Sequence, residues 1–237
     1  MCNKKFFCEH IKIFIKEIKV MKQRKGLEDI LVAFQGDIEE LDTLKLPSPY
    51  AVQEWRDFKD RKLTLDFEIG ESLGQFIKYI LLWNKEDENI PTAERKSIYI
   101  YINSPGGDLQ SCMSFIDILK MSKTPIKLIC ISGAYSAAGL ILMCKGENIT
   151  RCIIPHGKVL IHQGSVGVGQ IQTHQFFDIA DDVKKGEEKV KEYILANTTI
   201  SPKTYSSKKK SEWSLTAEEC LKYGVCDKII EDISELI

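Results

Sequence analysis

Apolar residues in the first 45 positions of the chain recur at the spacing of amphipathic helices. Two groups follow this spacing: Ile11, Phe14, Ile15 and Ile18, and then Leu27, Ile30, Leu31 and Phe34. The pattern stops at the segment 44–49, where Pro47 and Pro49 lie close together and favour extended backbone. We therefore expect residues 1–45 to form a helical N-terminal extension without chemistry of its own, followed by a separate globular domain.

After this boundary, strand and helix patterns alternate along the chain. Strand patterns cover 61–67, 97–103, 127–131 and 158–162, and helical patterns cover 71–83, 109–119, the apolar run after Ser136 and the stretch 170–197. A last helix is predicted from Thr216, with Glu219 as its capping-box partner, to Gly224, and a last strand over 225–230. The alternation predicts an α/β domain with a largely parallel sheet, whose strand ends share one edge where functional sites tend to form.

The composition shows no preference for a charged partner. The chain has 237 residues, of which 43% are hydrophobic, and its formal net charge is −1. A balanced charge gives no electrostatic reason to expect nucleic acid or an anionic membrane as a partner. Charged residues also interrupt the apolar pattern of the segment 6–20, so we expect neither a signal peptide nor a membrane span there.

The eight cysteines are scattered, and none of them belongs to a Cys-x-x-Cys pair. This spacing is not that of a thioredoxin-type motif or a zinc ribbon, and we expect no bound metal. Several of the cysteines stand inside apolar runs, where a reduced cysteine behaves as a small hydrophobic residue. These features favour a reducing, cytoplasmic setting.

A serine and a histidine stand at the ends of two predicted strands. Ser136 follows the strand 127–131 through small residues and precedes an apolar helix, and His162 closes the strand 158–162. A hydroxyl is a poor nucleophile until a neighbouring base removes its proton, and this pair provides both groups. Either residue alone has a structural explanation, as helix packing for the serine and a satisfied strand end for the histidine. Together they predict serine hydrolase chemistry.

Glycines supply the third element of such a site. Gly106 and Gly107 follow the strand 97–103, and glycine lets the backbone approach a ligand closely. Their N–H groups, with that of Ala137 at the start of a helix, could bind the oxyanion formed when a carbonyl is attacked. The sequence Ser-Pro-Gly-Gly on its own is only a turn. Its occurrence in order with Ser136 and His162 favours the catalytic interpretation.

The glycine-rich segment 164–169 lacks the Gly-Lys-Ser/Thr ending of a phosphate-binding loop. No other nucleotide-binding motif is present in the sequence. We therefore expect no cofactor and no ATP hydrolysis by this chain.

Three motifs occur in the order and spacing of a known family. They are Tyr-Ile-Asn-Ser-Pro-Gly-Gly at 101–107, the segment around Ser136, and Ile161-His162-Gln163. Together they resemble the proteolytic subunit of the ATP-dependent Clp protease, with Ser136 in the place of the nucleophile and His162 in that of the general base. The resemblance covers about residues 60–232. The chain departs from the family's usual Ala-Ser-Met-Gly at Tyr135, Ala137 and Ala138.

The third member of the family's catalytic triad is an aspartate, and here Glu212 occupies the matching position. A glutamate can orient an imidazole as an aspartate does, although its extra methylene changes the reach. No aspartate lies between Asp182 and Asp227 to take its place. Two alternatives remain: an incomplete triad in which backbone or water orients His162, or an ordinary surface role for Glu212.

The resemblance implies a crotonase-like α/β fold and an assembly. It implies a domain over 63–237 with a projecting handle helix at about 165–200 and an axial segment at 46–62. It also implies two stacked heptameric rings (a tetradecamer), an AAA+ unfoldase that uses ATP, and unfolded proteins or peptides as substrates. The peptide would lie along residues that match the family's substrate-binding segments, namely Gly106, Asp108, Leu109, Ser165 and Val166. Gly107 and Ala137 would form the oxyanion hole.

Two other functions are compatible with parts of the sequence. A crotonase-like enzyme that binds acyl-coenzyme A uses only the oxyanion hole and has no need of the Ser136–His162 pair. A non-catalytic ring subunit would resemble the protease and only assemble or regulate. The retained serine and histidine argue against this second alternative, whereas the altered acid leaves it open.

Overall fold

The structure is a computed structural model that describes residues 48–209 and 211–236. The predicted helical extension 1–45 lies outside the described residues. Residues Gln53–Ile237 form one compact unit, which contains every element of the predicted site.

The described part of the chain contains seven α-helices and seven strands. The helices are α1 (Pro49–Lys59), α2 (Leu73–Glu86), α3 (Leu109–Met121), α4 (Ala137–Leu142), α5 (Thr173–Asn197), α6 (Pro202–Lys208) and α7 (Ala217–Lys222). The strands are β1 (Lys62–Leu65), β2 (Ile98–Ser104), β3 (Ile126–Tyr135), β4 (Ile149–Ile153), β5 (Lys158–Ile161), β6 (Trp213–Leu215) and β7 (Lys228–Ile229). Two 3-10 helices cover Thr92–Glu94 and Ile233–Glu235.

The strands form one mainly parallel sheet in which β3 is central. Five strands follow the order β1-β2-β3-β4-β7, and all of their pairings are parallel. One edge of β3 pairs with two strands in succession: β4 along 126–130 and β5 along 133–135. The short β6 then pairs antiparallel with β5. The fold is therefore the α/β class that the sequence predicts, and it is consistent with the crotonase-like architecture.

Helices cover the sheet with the apolar faces that their sequences encode. Four residues of α2 at helical spacing are buried, and so are four of α3: Leu73, Phe76, Ile80 and Trp83, then Cys112, Phe115, Ile116 and Leu119. The strand β2 alternates, with its isoleucines at 98, 100 and 102 fully buried. Burial of each large apolar side chain contributes about 1.5–3 kcal/mol, so these faces fix how the helices pack on the sheet.

The sequence predicts most of these elements to within a few residues. The predicted helix 71–83, the long helix 170–197 and the strand 158–162 correspond to α2, α5 and β5. The capping box between Thr216 and Glu219 is formed at the start of α7. The expectation of extended backbone at 44–49 is wrong at its end, because Pro49 is the first residue of α1. Proline fits this position because the N–H that it lacks would have no acceptor within the helix. The elements α1, β4, α6 and β6 are absent from the sequence predictions.

A buried ion pair joins the start of β1 to the end of α2. The Arg61 guanidinium donates to both carboxylate oxygens of Asp87, at 2.6 and 2.9 Å, and Asp87 also accepts a hydrogen bond from the Thr124 hydroxyl at 2.7 Å. Both charged residues are buried. The hydrogen bond from Arg61 holds the pKa of Asp87 below its usual value.

Replacing Asp87 by asparagine is expected to lower the free energy of unfolding by about 3–5 kcal/mol, because the buried Arg61 charge then keeps only its 3.4 Å pair with the exposed Glu86 carboxylate. The lowered pKa means that the native contribution of Asp87 is complete above about pH 4 and is lost as the pH falls through that pKa. Urea denaturation at several pH values should therefore show the gap between wild type and Asp87→Asn narrowing in acid.

The matched control is Asp60→Asn, which removes an exposed pair with Lys96. Exposed pairs contribute little to stability, so this variant should unfold close to the wild type. Equal losses in the two variants would contradict a dominant role for the buried pair.

Candidate active site

Ser136 stands on a strained turn between β3 and α4. Its backbone has φ 53° and ψ −123°, a conformation that costs a non-glycine residue about 1–3 kcal/mol. The Ser136 N–H donates to the Leu160 carbonyl at 2.9 Å, which ties the turn to β5. Such a sharp strand-to-helix turn presents a side-chain oxygen at the end of the sheet, as nucleophile positions in other hydrolases do.

The pairing of β3 with β5 brings His162 near this turn. Tyr135 pairs with Leu160 in a parallel register, so Ser136 is level with Ile161, and His162 is the next residue after β5. The predicted strand 158–162 therefore ends one residue earlier than expected, and His162 begins the following loop. The two residues come together because β5 adds to the same edge of β3 that ends at Ser136.

Glu212 is brought to the same place by β6. The antiparallel register pairs Ile161 with Trp213, and its continuation by one residue sets His162 opposite Glu212. Residues directly opposite on neighbouring strands have Cβ atoms about 4.5–5.5 Å apart. Glu212 is exposed and His162 is half-buried. The register thus sets Glu212, the residue before β6, opposite His162, and β6 pairs with the edge of β5 away from β3.

In the described part of the chain, no hydrogen bond joins the side chains of Ser136, His162 and Glu212. Catalytic hydrogen bonds are often long in free enzymes and tighten when substrate binds, so this spacing is compatible with a triad. The strand register, and not side-chain contact, is what brings the three residues together.

The loop after β2 packs directly against the Ser136 turn. Gly106 has φ 95°, and a Cβ atom added there would lie 2.5 Å from the Tyr135 carbonyl oxygen and 2.8 Å from Ser136 Cβ. Gly107 has φ 145°, and its added Cβ would lie 2.3 Å from the Ile69 carbonyl oxygen. Both contacts are with backbone or with a fixed Cβ atom. Only glycine fits at either position, as close approach of two loops requires.

Two backbone amides beside Ser136 are free to bind an anion. Among the described residues, neither the Gly107 N–H nor the Ala137 N–H finds an acceptor, whereas the Gly106 N–H donates to Ser104 Oγ at 3.2 Å. Gly107 and Ala137 are the two residues that the sequence assigns to an oxyanion hole. They lie on the two segments that meet at Gly106.

The predicted substrate-binding residues fall in two segments. Asp108 caps α3 by accepting from the Ser111 N–H at 2.7 Å, and hydrogen bonds from Ser111 lower its pKa. Leu109 is the first residue of α3. Ser165 and Val166 lie between β5 and α5, in a segment without helix or strand, where Val166 is 55% exposed. The structure thus leaves the second segment open to solvent.

Helix α5 projects from the domain. Of its 25 residues, only three near its end are buried: Tyr193, Ile194 and Asn197. Phe176 and Phe177 near its start are 52% and 64% exposed, and their rings contact each other. In its middle, α5 passes the site, because the Gln163 amide donates to the Glu187 carboxylate at 3.3 Å. The first half of the helix therefore presents apolar surface without a partner among the described residues.

The six cysteines between residues 112 and 226, which the structure describes, do not have the properties of nucleophiles. All six described cysteines are free and buried, and burial raises the pKa of Cys112 to about 12 and that of Cys130 to about 11. Because the thiolate is the reactive form, these thiols are inert near neutral pH. The described residues also include no cluster of His, Cys, Asp and Glu that could hold a metal ion. None of their helices is long and apolar enough to cross a membrane.

Comparison with known proteins places these features in a family context. The profile of the family described as Clp protease matches residues 55–233. The ATP-dependent Clp protease proteolytic subunit 1 of Shouchella clausii (strain KSM-K16) is 28% identical over 199 residues. That alignment covers 79% of this chain and 99% of the relative. The matched region spans Ser136, His162, Glu212 and both glycines of the β2 loop.

Proposed function

Because this chain belongs to the Clp protease family, we propose that it is a serine-type endopeptidase with Ser136 as nucleophile, His162 as general base and Glu212 as the acid that orients His162. The observation that carries the proposal is the strained Ser136 turn, flanked by the unpaired amides of Gly107 and Ala137. A turn that holds a hydroxyl next to two free N–H groups has the components that acyl transfer requires.

The proposed reaction proceeds through an acyl-enzyme. His162 takes the proton of Ser136 as the hydroxyl oxygen attacks the peptide carbonyl, and the Gly107 and Ala137 amides bind the resulting oxyanion. His162 then gives the proton to the leaving amine, and the peptide bond breaks. Water, activated by the same histidine, hydrolyses the ester and restores Ser136. Glu212 holds the imidazole in the required tautomer and stabilises its charged form.

We infer that the chain acts as a homo-oligomer. The exposed phenylalanines 176 and 177 on α5 are an unpartnered apolar surface, which in soluble proteins marks an interaction site. Family membership supports two stacked heptameric rings, with α5 joining the rings and a separate AAA+ unfoldase supplying unfolded substrates. It also supports a cytoplasmic location. On this proposal ATP is used by the unfoldase, and the chain itself needs no cofactor.

Active-site labelling tests the proposed function. We expect a fluorophosphonate to modify the purified, assembled protein on one serine, and mass spectrometry of the peptides to place the adduct on Ser136. His162→Ala should abolish the labelling, because the hydroxyl then has no base. Absence of label on the assembled wild-type protein, or a label on another serine, would contradict the assignment.

A second candidate function is that of a non-catalytic ring subunit. Two observations favour it. Over the described residues, the side chains of Ser136, His162 and Glu212 share no hydrogen bond, and Glu212 stands in place of the family's aspartate. This subunit would assemble into rings without taking the label. An acyl-coenzyme A enzyme would likewise stay unlabelled, and it would in addition bind the thioester.

A further inference from the structure

The loop between β2 and α3 has three amide groups, and only one of them is free. Gly106 donates to Ser104 Oγ, Asp108 donates to the Ile69 carbonyl at 2.8 Å, and Pro105 has no N–H to offer. Within this loop, Gly107 alone has an N–H without an acceptor among the described residues. The function of the loop as an oxyanion hole depends on this one amide pointing at the reaction centre and on its neighbour being held away.

Ser104 is the side chain that pairs the Gly106 amide. It is the last residue of β2 and is 2% exposed. Its hydroxyl donates to the Phe67 carbonyl at 2.6 Å and accepts from the Gly106 N–H at 3.2 Å. One hydroxyl therefore connects the segment after β1 to the glycine loop and occupies the amide that could compete with Gly107.

The loop needs such a restraint because both of its glycines adopt positive φ, at 95° and 145°. Glycine moves between positive and negative φ at little cost, so the peptide units on either side of Gly106 have alternative orientations. The Ile69 N–H donates to the Gly106 carbonyl, and because a peptide unit is planar, this bond also sets the direction of the Gly107 N–H. Among the described residues, Ser104 alone pairs the Gly106 amide, and its other hydrogen bond holds the Phe67 carbonyl, two residues before Ile69.

We propose that Ser104 is a positioning residue of the oxyanion hole: by pairing the Gly106 amide and holding the Phe67 carbonyl in the segment of Ile69, it keeps the peptide unit of Gly107 in the orientation that directs its N–H at the carbonyl oxygen under attack. This inference rests on the proposed peptidase function. Ser104 contacts the loop and not the substrate, and it acts through the placement of Gly107. Loss of an oxyanion donor lowers kcat by about 100- to 1000-fold, and a displaced donor should cost part of that.

The test compares Ser104→Ala and Ser104→Cys with the wild-type protein in its assembled form. We expect Ser104→Ala to lower kcat for a fluorogenic peptide by about 10- to 100-fold with little change in KM. The reason is that the displaced Gly107 amide acts on the oxyanion of the transition state and not on the bound substrate. The affinity for a peptide boronate, whose tetrahedral adduct places an oxygen in the same hole, should fall in parallel with kcat/KM. Ser104→Cys keeps a weak acceptor, so its kcat and boronate affinity should lie between those of Ser104→Ala and those of the wild type.

The matched control is Ser122→Ala. Ser122 is also a buried hydroxyl with two partners, since it accepts from the Asn84 amide at 2.9 Å and donates to the Thr124 carbonyl at 2.9 Å, but it lies at the end of α3 away from Ser136. This variant should lose stability in urea denaturation and keep the wild-type kcat and boronate affinity. A loss of kcat in Ser122→Ala equal to that in Ser104→Ala would show general destabilisation and overturn the positioning role.

Further outcomes would contradict either the positioning role of Ser104 or the proposed peptidase function. A folded Ser104→Ala protein with wild-type kcat and boronate affinity would overturn the positioning role. If Ser104→Ala does not fold, wild-type kcat and boronate affinity in Ser104→Cys would overturn it instead. Failure of the wild-type protein to take a fluorophosphonate on Ser136 would refute the proposed function itself. A labelled wild type with an unaffected Ser104→Ala refutes only the positioning role.

Discussion

Ser136→Ala is expected to lower kcat for peptide hydrolysis on the order of 10⁶-fold, because no covalent intermediate can form without the hydroxyl. The variant should still fold and assemble, since the hydroxyl has no hydrogen bond that holds the turn among the described residues. Fluorogenic peptide hydrolysis by the assembled protein measures the loss, and thermal unfolding reports whether the fold is intact.

The same strand provides the control for this variant. Ser132 lies on β3, four residues before Ser136, with an exposed side chain. Ser132→Ala removes a hydroxyl from the same strand and should leave kcat unchanged. Hydrolysis by Ser136→Ala within about tenfold of wild type would show that another residue, or a contaminating peptidase, carries the activity.

Glu212→Gln is expected to lower kcat by about 10⁴-fold, the loss found when the acid of a triad is made neutral. The amide is close to the carboxylate in shape but cannot stabilise the imidazolium, and it favours the wrong tautomer of His162. Glu212→Asp keeps the charge with a shorter reach and should retain more activity than Glu212→Gln. Steady-state kinetics on a peptide substrate separates the three proteins.

Glu231→Gln is the matched control, since it neutralises an exposed glutamate near the end of the chain. It should behave as the wild type. If Glu212→Gln loses only a few-fold in kcat, then Glu212 is a surface residue, and backbone or water orients His162. That outcome would leave Ser136 and His162 in place and remove the acid from the proposed triad.

The sequence carries enough information to locate the site in the sheet, because its main signals are local. The strand 158–162 shows β-branched and apolar residues next to each other, and the helix after Ser136 is apolar throughout. A serine between a strand and a helix, and a histidine at a strand end, can be recognised from such patterns. The parallel α/β arrangement then follows from the alternation of elements.

The position of Glu212 opposite His162 depends on a strand pairing that no local pattern reveals. The strand β6 has only three residues, Trp213–Leu215, which is too short to show a period. It pairs with β5, and the long helix α5 lies between them in sequence. In the sequence, Glu212 was identified through a family motif, and the register supplies the physical reason for its place beside His162.

The role of Ser104 was missed for a related reason. The motif Ser-Pro-Gly-Gly draws attention to its glycines, whose conformational freedom can be read from the residue type alone. The hydroxyl acts on the Phe67 carbonyl, which lies 37 positions earlier in the chain. Only the folded chain shows that contact. The one local signal is a serine directly before a proline and two glycines at the end of a buried strand.

The antiparallel pairing of β5 with β6 fixes both ends of the segment that connects these two strands. After Ile161, the last residue of β5, the chain forms the protruding helix α5. It then pairs with β5 again from Trp213, the first residue of β6. Both ends of this segment are therefore anchored by the same two-stranded ladder, and the end of α5 is held in addition by its buried residues Tyr193, Ile194 and Asn197. Changing the length of a connection whose ends are fixed costs little free energy. The exposed first half of α5, which carries Phe176 and Phe177, can therefore change in length while the residues at the anchored ends keep their places.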